Sequence, residues 1–269
     1  MIRVRPYVTL VLFVAASVAV IPPQWIFTKV WPAAARRLPH YYFRAVAQLL
    51  RMRVRVAGEP LKHRPCLYVA NHGSWLDIVV LSAIAPMCFV AKKEVASWPF
   101  FGTLASIGRT LYIDRNRRHD VGRSHTALKA RLHGGEIVTL FAEGKPSDGN
   151  RVLPFRSALL GAADVEVEGV PVAVQPVTIA YTGMYGIPIG RGFRPLFAWY
   201  GNMTLFAHLM GVGAAGPPDV EVVFHPVVHG RDVGGRKALA RHCEQQIKRA
   251  LAQALTGRQP RVPAPVEMF

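Results

Sequence analysis

Apolar runs that end in polar residues alternate with helix-forming segments through the middle of the chain. The uninterrupted apolar runs at 66–70 and 137–141 are typical of strands that are buried on both faces, whereas the polar–apolar alternation at 53–58 is typical of a strand with one face in water. Between these strands the sequence predicts helices at 75–84, 100–107 and 120–133. Strands that alternate with helices predict an α/β fold with a largely parallel central sheet flanked by helices.

Four further strands complete the predicted sheet, at 87–91, 110–115, 170–181 and 220–228. Pro176 interrupts the third of them, and because proline cannot donate to a ladder it indicates an edge strand or a bulge. A helix is predicted at 155–163, and the Gly-, Pro- and aromatic-rich segment 182–201 predicts a long surface loop. An amphipathic helix at 236–255 is predicted to close the fold.

The apolar run at 7–27 is broken by Pro22 and Pro23 and is flanked by basic residues. A cleaved signal peptide, a single transmembrane helix and a kinked or re-entrant anchor all fit this pattern. Export of so basic and cysteine-poor a chain is disfavoured, so the sequence predicts an uncleaved N-terminal helical membrane anchor. Whether it spans or re-enters stays open, and the basic residues after it place that side toward the cytoplasm.

A second, amphipathic helix with basic and aromatic side chains is predicted at 38–51, and Arg37, Arg44 and Arg51 recur at intervals of seven on one stripe. Such a helix suits the lipid interface, although an ordinary surface helix fits equally well. The predicted organisation is therefore an anchor with an amphipathic helix over 1–52, one globular domain over 53–256, and a proline-containing disordered tail over 257–269.

The net charge of +17, from 33 basic and 16 acidic residues, predicts a polyanionic partner. A hydrophobic content of 51% and the absence of a recognition motif favour an anionic membrane surface over nucleic acid. The three cysteines, Cys66, Cys88 and Cys243, form no C-x-x-C pair, which indicates core residues in a reducing compartment rather than a disulfide framework or a zinc site.

Three polar clusters lie at predicted strand ends: Asn71-His72, Asp114-Arg115 and Glu143-Gly144-Lys145. Because ligands of parallel sheets bind at the carboxyl ends of strands, we expect these clusters to share one site. Asp77 is predicted in the first turn of the following helix, with Ser74 as its N-cap, so that its carboxylate can turn back and orient the His72 imidazole as a general base. Taken singly, each cluster also fits a solvated turn, and the H-x4-D spacing by itself is a weak signal.

Four blocks in order resemble the glycerolipid acyltransferase family of the bacterial 1-acyl-glycerol-3-phosphate type. Residues 71–77 are similar to its N-H-x4-D block, and 108–115 to a second block that ends in Arg. Residues 141–149, running on to 153–156, are similar to the F-P-E-G-T-R-S block and the Pro-Phe-Lys element after it. Residues 170–177 are similar to the fourth, apolar-proline block.

The resemblance implies a membrane-associated O-acyltransferase that moves a fatty acyl group from an acyl thioester to the sn-2 hydroxyl of 1-acyl-glycerol-3-phosphate, giving phosphatidic acid. His72 would deprotonate the hydroxyl, and Asp77 would orient His72. No covalent acyl-enzyme would form. The acceptor phosphate would be bound by Arg115, Glu143, Gly144 and Lys145. Acyl-CoA or acyl-carrier protein would be the donor substrate, no cofactor or metal is implied, and the catalytic domain at 53–256 would face the cytoplasm at the bacterial inner membrane.

The chain departs from the family pattern at Lys145, which replaces Thr, and at Ala142, which replaces Pro. Lys145 either supplies a direct charge to the phosphate or indicates another acceptor, for example lyso-ornithine lipid. A third hypothesis, a non-catalytic basic membrane-binding protein with the same fold, is disfavoured because both His72 and Asp77 are present.

Overall fold

The computed structural model describes residues 4–61, 65–113, 118–167, 169–258 and 266–267, with the backbone alone described at 118–125, 162, 164 and 266–267. Within these ranges the helices are α1 (Val4–Val30), α2 (Pro32–Leu49), α3 (Leu76–Ile84), α4 (Phe101–Ile107), α5 (Arg118–His133), α6 (Leu205–Ala215) and α7 (Arg236–Leu255). The strands are β1 (Arg53–Ala57), β2 (Cys66–Ala70), β3 (Cys88–Lys92), β4 (Leu111–Ile113), β5 (Ile137–Phe141), β6 (Glu166–Val167), β7 (Val170–Pro171), β8 (Ala173–Met184), β9 (Ile187–Pro188), β10 (Pro218–Phe224) and β11 (Val266–Glu267).

The central sheet runs in the order β11-β1-β10-β8-β2-β5-β3-β4. The β1–β10, β8–β2, β2–β5, β5–β3 and β3–β4 pairs are parallel, whereas β10–β8, β1–β11 and β8–β9 are antiparallel. The predicted α/β fold with a largely parallel sheet is therefore confirmed. Ala70 pairs with Phe141, so β2 and β5 end side by side and deliver the residues that follow them to one place.

Side chains alternate between two layers of core on either face of the sheet. Along β2, Tyr68 packs in the core layer that contains α2 and α3, whereas Leu67 packs in the layer that contains α7. The three cysteines are buried and free, as the sequence indicates. Burial on both faces explains why β2 and β5 are continuous apolar runs.

Pro176 lies inside β8, which is a central strand, so the edge position that the sequence allows is wrong. The bulge that it also allows is present: β8 pairs Val177 with Phe224 and Val174 with Val228, a shift of one residue between the two pairs. On the side of β8 that faces β10, the Pro176 carbonyl accepts a hydrogen bond from His225 N at 3.0 Å. The N–H that proline lacks would point to the same side. The His225 carbonyl, which the missing N–H of Pro176 cannot reach, accepts from Gln175 Nε2 at 3.0 Å instead, so this acceptor stays paired.

Three predicted elements differ in the structure. The helix expected at 155–163 is a 3-10 helix at Ser157–Asp164, and the loop expected at 182–201 contains the end of β8 and the short strand β9. In the tail, where the sequence predicts disorder over 257–269, Val266–Glu267 pair with β1, which would otherwise be an open edge.

Helix α1 packs along its length on the domain through one stripe that contains Pro6, Phe13, Ser17, Val20 and Gln24. The Ser17 hydroxyl lies 2.6 Å from the Tyr42 hydroxyl, and Gln24 Nε2 donates to the carbonyls of Ala35 and Ile107 at 2.9 and 2.8 Å. These buried polar bonds fix the rotation of the helix. The opposite face is exposed and apolar.

Candidate active site

Asn71 fixes the corner at which β2 ends. Its Nδ2 donates to the Ile179 carbonyl at 2.9 Å, and its Oδ1 accepts from Ile179 N at 2.8 Å. This pair of bonds joins the corner to β8, so the direction in which His72 leaves the sheet is set by the neighbouring strand. The sequence places Asn71 in the site cluster but gives no sign of this clamp.

The His72 ring is held by a carboxylate on one side and an aromatic ring on the other. Its Nδ1 lies 2.9 Å from Asp77 Oδ2, and the ring stacks on Phe141 with centroids 4.0 Å apart and planes at 15°. An ionised carboxylate only accepts hydrogen bonds, so Nδ1 carries the proton and Nε2 of a neutral ring is the basic nitrogen. His72 also lines a cavity, where that nitrogen can accept a proton from a ligand.

Asp77 is buried and accepts four hydrogen bonds. Besides His72, its Oδ2 accepts from Gly73 N at 2.7 Å and Ser74 N at 2.9 Å, and its Oδ1 accepts from the Tyr181 hydroxyl at 2.8 Å. The four donors engage both oxygens of this buried side chain and hold it in the orientation in which Oδ2 faces His72 Nδ1. Asp77 therefore both closes the turn and orients His72.

Tyr181 is a member of the site that sequence reasoning missed. It is fully buried in β8, and burial together with the adjacent Asp77 carboxylate raises the pKa of its hydroxyl well above the usual value. The phenol is therefore a permanent neutral donor to Asp77. No motif signals this role, because Tyr181 approaches Asp77 only through the pairing of β8 beside β2.

Ser74 lies one residue before the cap position of α3, and its hydroxyl makes the kind of hydrogen bond expected of an N-cap. The cap position is Trp75, whose side chain makes no capping bond, and the Ser74 hydroxyl accepts from Leu76 N at 3.3 Å. The Ser74 hydroxyl therefore satisfies the first backbone N–H of α3, while the Asp77 carboxylate satisfies the amides of Gly73 and Ser74 just before the helix.

Glu143 lies beneath His72 rather than on the cavity wall. Its Oε1 accepts from His72 N and its Oε2 from Leu153 N, each at 2.7 Å. Burial raises the pKa of this carboxyl to about 8, against the opposing effect of the two amide donors. Because both carboxyl oxygens accept hydrogen bonds, Glu143 ties the loop after β5 to the corner at His72 and supports that corner from below.

We expect the raised pKa of Glu143 to make folding stability pH-dependent. Above about pH 4.5 the unfolded chain releases this proton while the folded chain retains it up to about pH 8, so stability falls as pH rises through that window, by at most about 1.4 kcal/mol per pH unit. Glu143→Gln has no such proton. Thermal unfolding of both proteins in detergent, from about pH 5 to about pH 9, tests this; wild-type and variant curves that stay parallel would contradict it.

The loop after β5 brings Gly144 and Lys145 to the cavity, as the strand-end argument predicts. Gly144 has φ +76°, a conformation that favours glycine, and Ser147 N donates to the His72 carbonyl at 2.8 Å. The Lys145 side chain is exposed at the cavity mouth. Arg115 lies outside the described residues, and its predicted role remains a prediction.

The cavity beside His72 has a volume of about 1190 Å³ and a mainly apolar wall. Aromatic side chains from three parts of the chain contribute to it: Phe13 from α1, Phe43 from α2 and Trp75 beside the catalytic corner. Trp75 is oriented by a bond from its Nε1 to His208 Nδ1 at 2.9 Å. The described residues contain no group of three or more His, Cys, Asp or Glu side chains placed to bind a metal. A base at the mouth of an apolar cavity suits the deprotonation of a hydroxyl on a molecule with a long hydrocarbon chain.

Comparisons with known proteins agree with this chemistry. The Acyltransferase family model matches residues 53–180. The lyso-ornithine lipid O-acyltransferase of Brucella abortus (strain 2308) is 44% identical over 259 residues, which cover 95% of this chain and 97% of that protein. Its counterpart by name in Rhizobium meliloti (strain 1021) is 41% identical, covering 92% of this chain and 86% of that protein.

Two further similarities complete the comparison. The 1-acyl-sn-glycerol-3-phosphate acyltransferase of Neisseria gonorrhoeae is 31% identical over 198 residues, which cover 72% of this chain and 73% of that protein. The crystal structure of the 1-acyl-sn-glycerophosphate acyltransferase PlsC from Thermotoga maritima matches with a TM-score of 0.63 at 20% identity, over 97% of this chain and all of that one. The structural match supports the fold.

Proposed function

Because this chain belongs to the bacterial glycerolipid acyltransferase family, we propose that it esterifies the hydroxyl of a lyso-lipid with a fatty acyl group from a thioester, with lyso-ornithine lipid as the acceptor. The observation that carries the chemistry is the His72–Asp77 pair, 2.9 Å apart, at the mouth of the apolar cavity.

The residues support direct transfer. His72 Nε2 takes the hydroxyl proton as the hydroxyl oxygen bonds to the thioester carbonyl carbon, and Asp77 stabilises the imidazolium that forms. The carbon–sulfur bond then breaks, and His72 returns the proton to the departing thiolate, so the enzyme regains its starting state. Glu143 and Asn71 hold the corner in place throughout.

The acceptor assignment rests on the cavity loop and on the relatives. In the F-P-E-G-T-R-S block, this chain has Pro146 where the block has Arg, so that position supplies no guanidinium for a phosphate. The relatives named for lyso-ornithine lipid are 44% and 41% identical, against 31% for the phosphate-type relative from Neisseria. Both differences favour an acceptor without a phosphomonoester.

A second candidate acceptor, 1-acyl-glycerol-3-phosphate, is favoured by the cationic side chains at the cavity mouth. Lys92, Lys145 and Arg151 all line it, and each can bind an anionic headgroup. Acyl-CoA and acyl-carrier protein are both anionic donors that suit a chain of net charge +17.

An acceptor panel tests the assignment. Purified full-length protein is incubated with a labelled acyl thioester and either lyso-ornithine lipid or 1-acyl-glycerol-3-phosphate at equal mole fractions in mixed micelles. We expect kcat/KM to favour the ornithine acceptor by about 10-fold or more, since one charge-assisted contact is worth that much. A preference for the phosphate acceptor would move the assignment to the second candidate, and inactivity on both would contradict acyl transfer to lyso-lipids.

The membrane location proposed for this domain is the cytoplasmic face of the inner membrane, with α1 embedded in one leaflet. Helix α1 is long and apolar enough to span, yet its inner stripe is attached to the domain from Pro6 to Gln24. Its outer face exposes Tyr7, Val11 and Val18, which suits insertion of that face alone.

Lysines on the outer face of α1 test this location. We expect Val11→Lys with Val18→Lys to shift the protein from sedimenting with anionic vesicles to the supernatant, because each buried valine contributes about 1.5 kcal/mol or more to insertion. The matched control, Val11→Leu with Val18→Leu, is expected to sediment like the wild type. Equal sedimentation of the lysine variant would argue against insertion through this face.

A further inference from the structure

The mouth of the cavity carries both signs of charge on one short loop. Lys145, Asp148 and Arg151 all line the cavity within the stretch 145–151. In the part of the chain that the structure describes, none of the three forms an ion pair with another residue. Opposite charges that are close in sequence and not paired with each other are available to a ligand that has both.

Asp148 is held next to the catalytic corner by its neighbours on the loop. Ser147 N donates to the His72 carbonyl at 2.8 Å, and the Gly149 Cα would lie 3.8 Å from a Cβ at Gly73. Asp148 Oδ1 accepts from Asn150 N at 3.1 Å, and no described residue donates to its Oδ2. The loop thus presents a carboxylate oxygen to which no described residue donates, in the cavity that His72 also lines.

A carboxylate at this position discriminates between headgroups. It repels a phosphomonoester, whereas it forms a charge-assisted hydrogen bond with an ammonium group. An ornithine headgroup combines an ammonium with a carboxylate. The two cations that flank Asp148, Lys145 and Arg151, are complementary to the headgroup carboxylate.

On the basis of the proposed function, we propose that Asp148 binds the ammonium of the acceptor headgroup while Lys145 and Arg151 bind its carboxylate. The loop 145–151 would then select a zwitterionic amino-acid headgroup over a phosphate. The negative charge of Asp148 would weaken binding in a phosphate-specific site, because it repels the phosphate.

The test pairs Asp148→Asn with a change in the substrate. Asn keeps the oxygen that accepts from Asn150 N, so the loop retains its turn. We measure kcat and KM with lyso-ornithine lipid and with the same lipid acetylated on its free amine. For the wild type, acetylation of the acceptor is expected to lower kcat/KM by about 10- to 100-fold, mainly through a higher KM. For Asp148→Asn, kcat/KM with the native acceptor is expected to be lower by a similar factor, and acetylation is expected to cause no further loss. Its activity with 1-acyl-glycerol-3-phosphate is expected not to fall.

Glu94→Gln is the matched control, since Glu94 is another carboxylate that lines the cavity but belongs to the 3-10 helix Lys93–Ser97 rather than to the loop 145–151. Its sensitivity to acetylation is expected to equal that of the wild type. Equal acetylation sensitivity in wild type and Asp148→Asn would overturn the inference and leave the proposed function intact. A wild-type protein that does not acylate lyso-ornithine lipid at all would instead contradict the proposed function itself.

Discussion

His72→Ala is expected to lower kcat for acyl transfer by roughly 10³-fold, with a small change in KM for the acceptor. The imidazole is the proposed general base at the cavity mouth, and a positioned base contributes about 10²- to 10⁴-fold. Because the acceptor is bound by other groups, the loss falls on the chemical step. Initial rates with purified protein in mixed micelles measure it, alongside thermal unfolding to show that the variant is folded.

His242→Ala provides the comparison for His72→Ala. His242 lies on α7, away from the cavity wall, so the same substitution is expected to leave kcat unchanged. Full activity of His72→Ala would refute the proposed mechanism. If kcat fell equally in both variants, destabilisation of the fold rather than loss of a general base would explain the effect.

Asp77→Asn is expected to lower kcat by about 10²- to 10³-fold and to destabilise the fold by about 1–3 kcal/mol. Its amide oxygen can still accept from His72, Gly73 and Ser74, and its NH₂ can donate to the Tyr181 oxygen after the hydroxyl rotates. The geometry is thereby retained while the charge that stabilises the imidazolium is lost. Rates and unfolding curves, recorded on the same preparation, separate the two effects.

Tyr181→Phe isolates the structural part of this arrangement. It removes one of the four hydrogen bonds to Asp77 but keeps the carboxylate charge, so we expect a similar destabilisation with less than about a tenfold loss in kcat. If Tyr181→Phe and Asp77→Asn were equally inactive, the contribution of Asp77 would be to position His72 rather than to supply a negative charge.

The sequence was sufficient to predict that the polar residues after two buried strands lie at one edge of the sheet. Residues 66–70 and 137–141 are identifiable as buried strands, and their adjacency places His72 and the loop at 143–145 together. That inference needs only the alternation of strands and helices, because the carboxyl ends of parallel strands share an edge. It does not need any side-chain position.

Orientations and long-range partners could not be predicted from local pattern. Glu143 was predicted to bind substrate, yet its carboxylate turns inward to two backbone amides, and no local feature distinguishes the two directions. Tyr181 and the Ile179 backbone reach the site because β8 lies beside β2. The pairing order of strands that are distant in sequence is set by the whole core, not by any one segment.

Phe13 has a consequence for how substrate concentration is defined. It lines the reaction cavity, yet it belongs to the helix whose other face is proposed to lie in the leaflet. With α1 at this proposed location, a lyso-lipid would pass sideways from the bilayer into the cavity without dissolving in water. The quantity that would saturate such an enzyme is the number of acceptor molecules per unit of membrane area, whereas the acyl donor would still be measured by its concentration in solution.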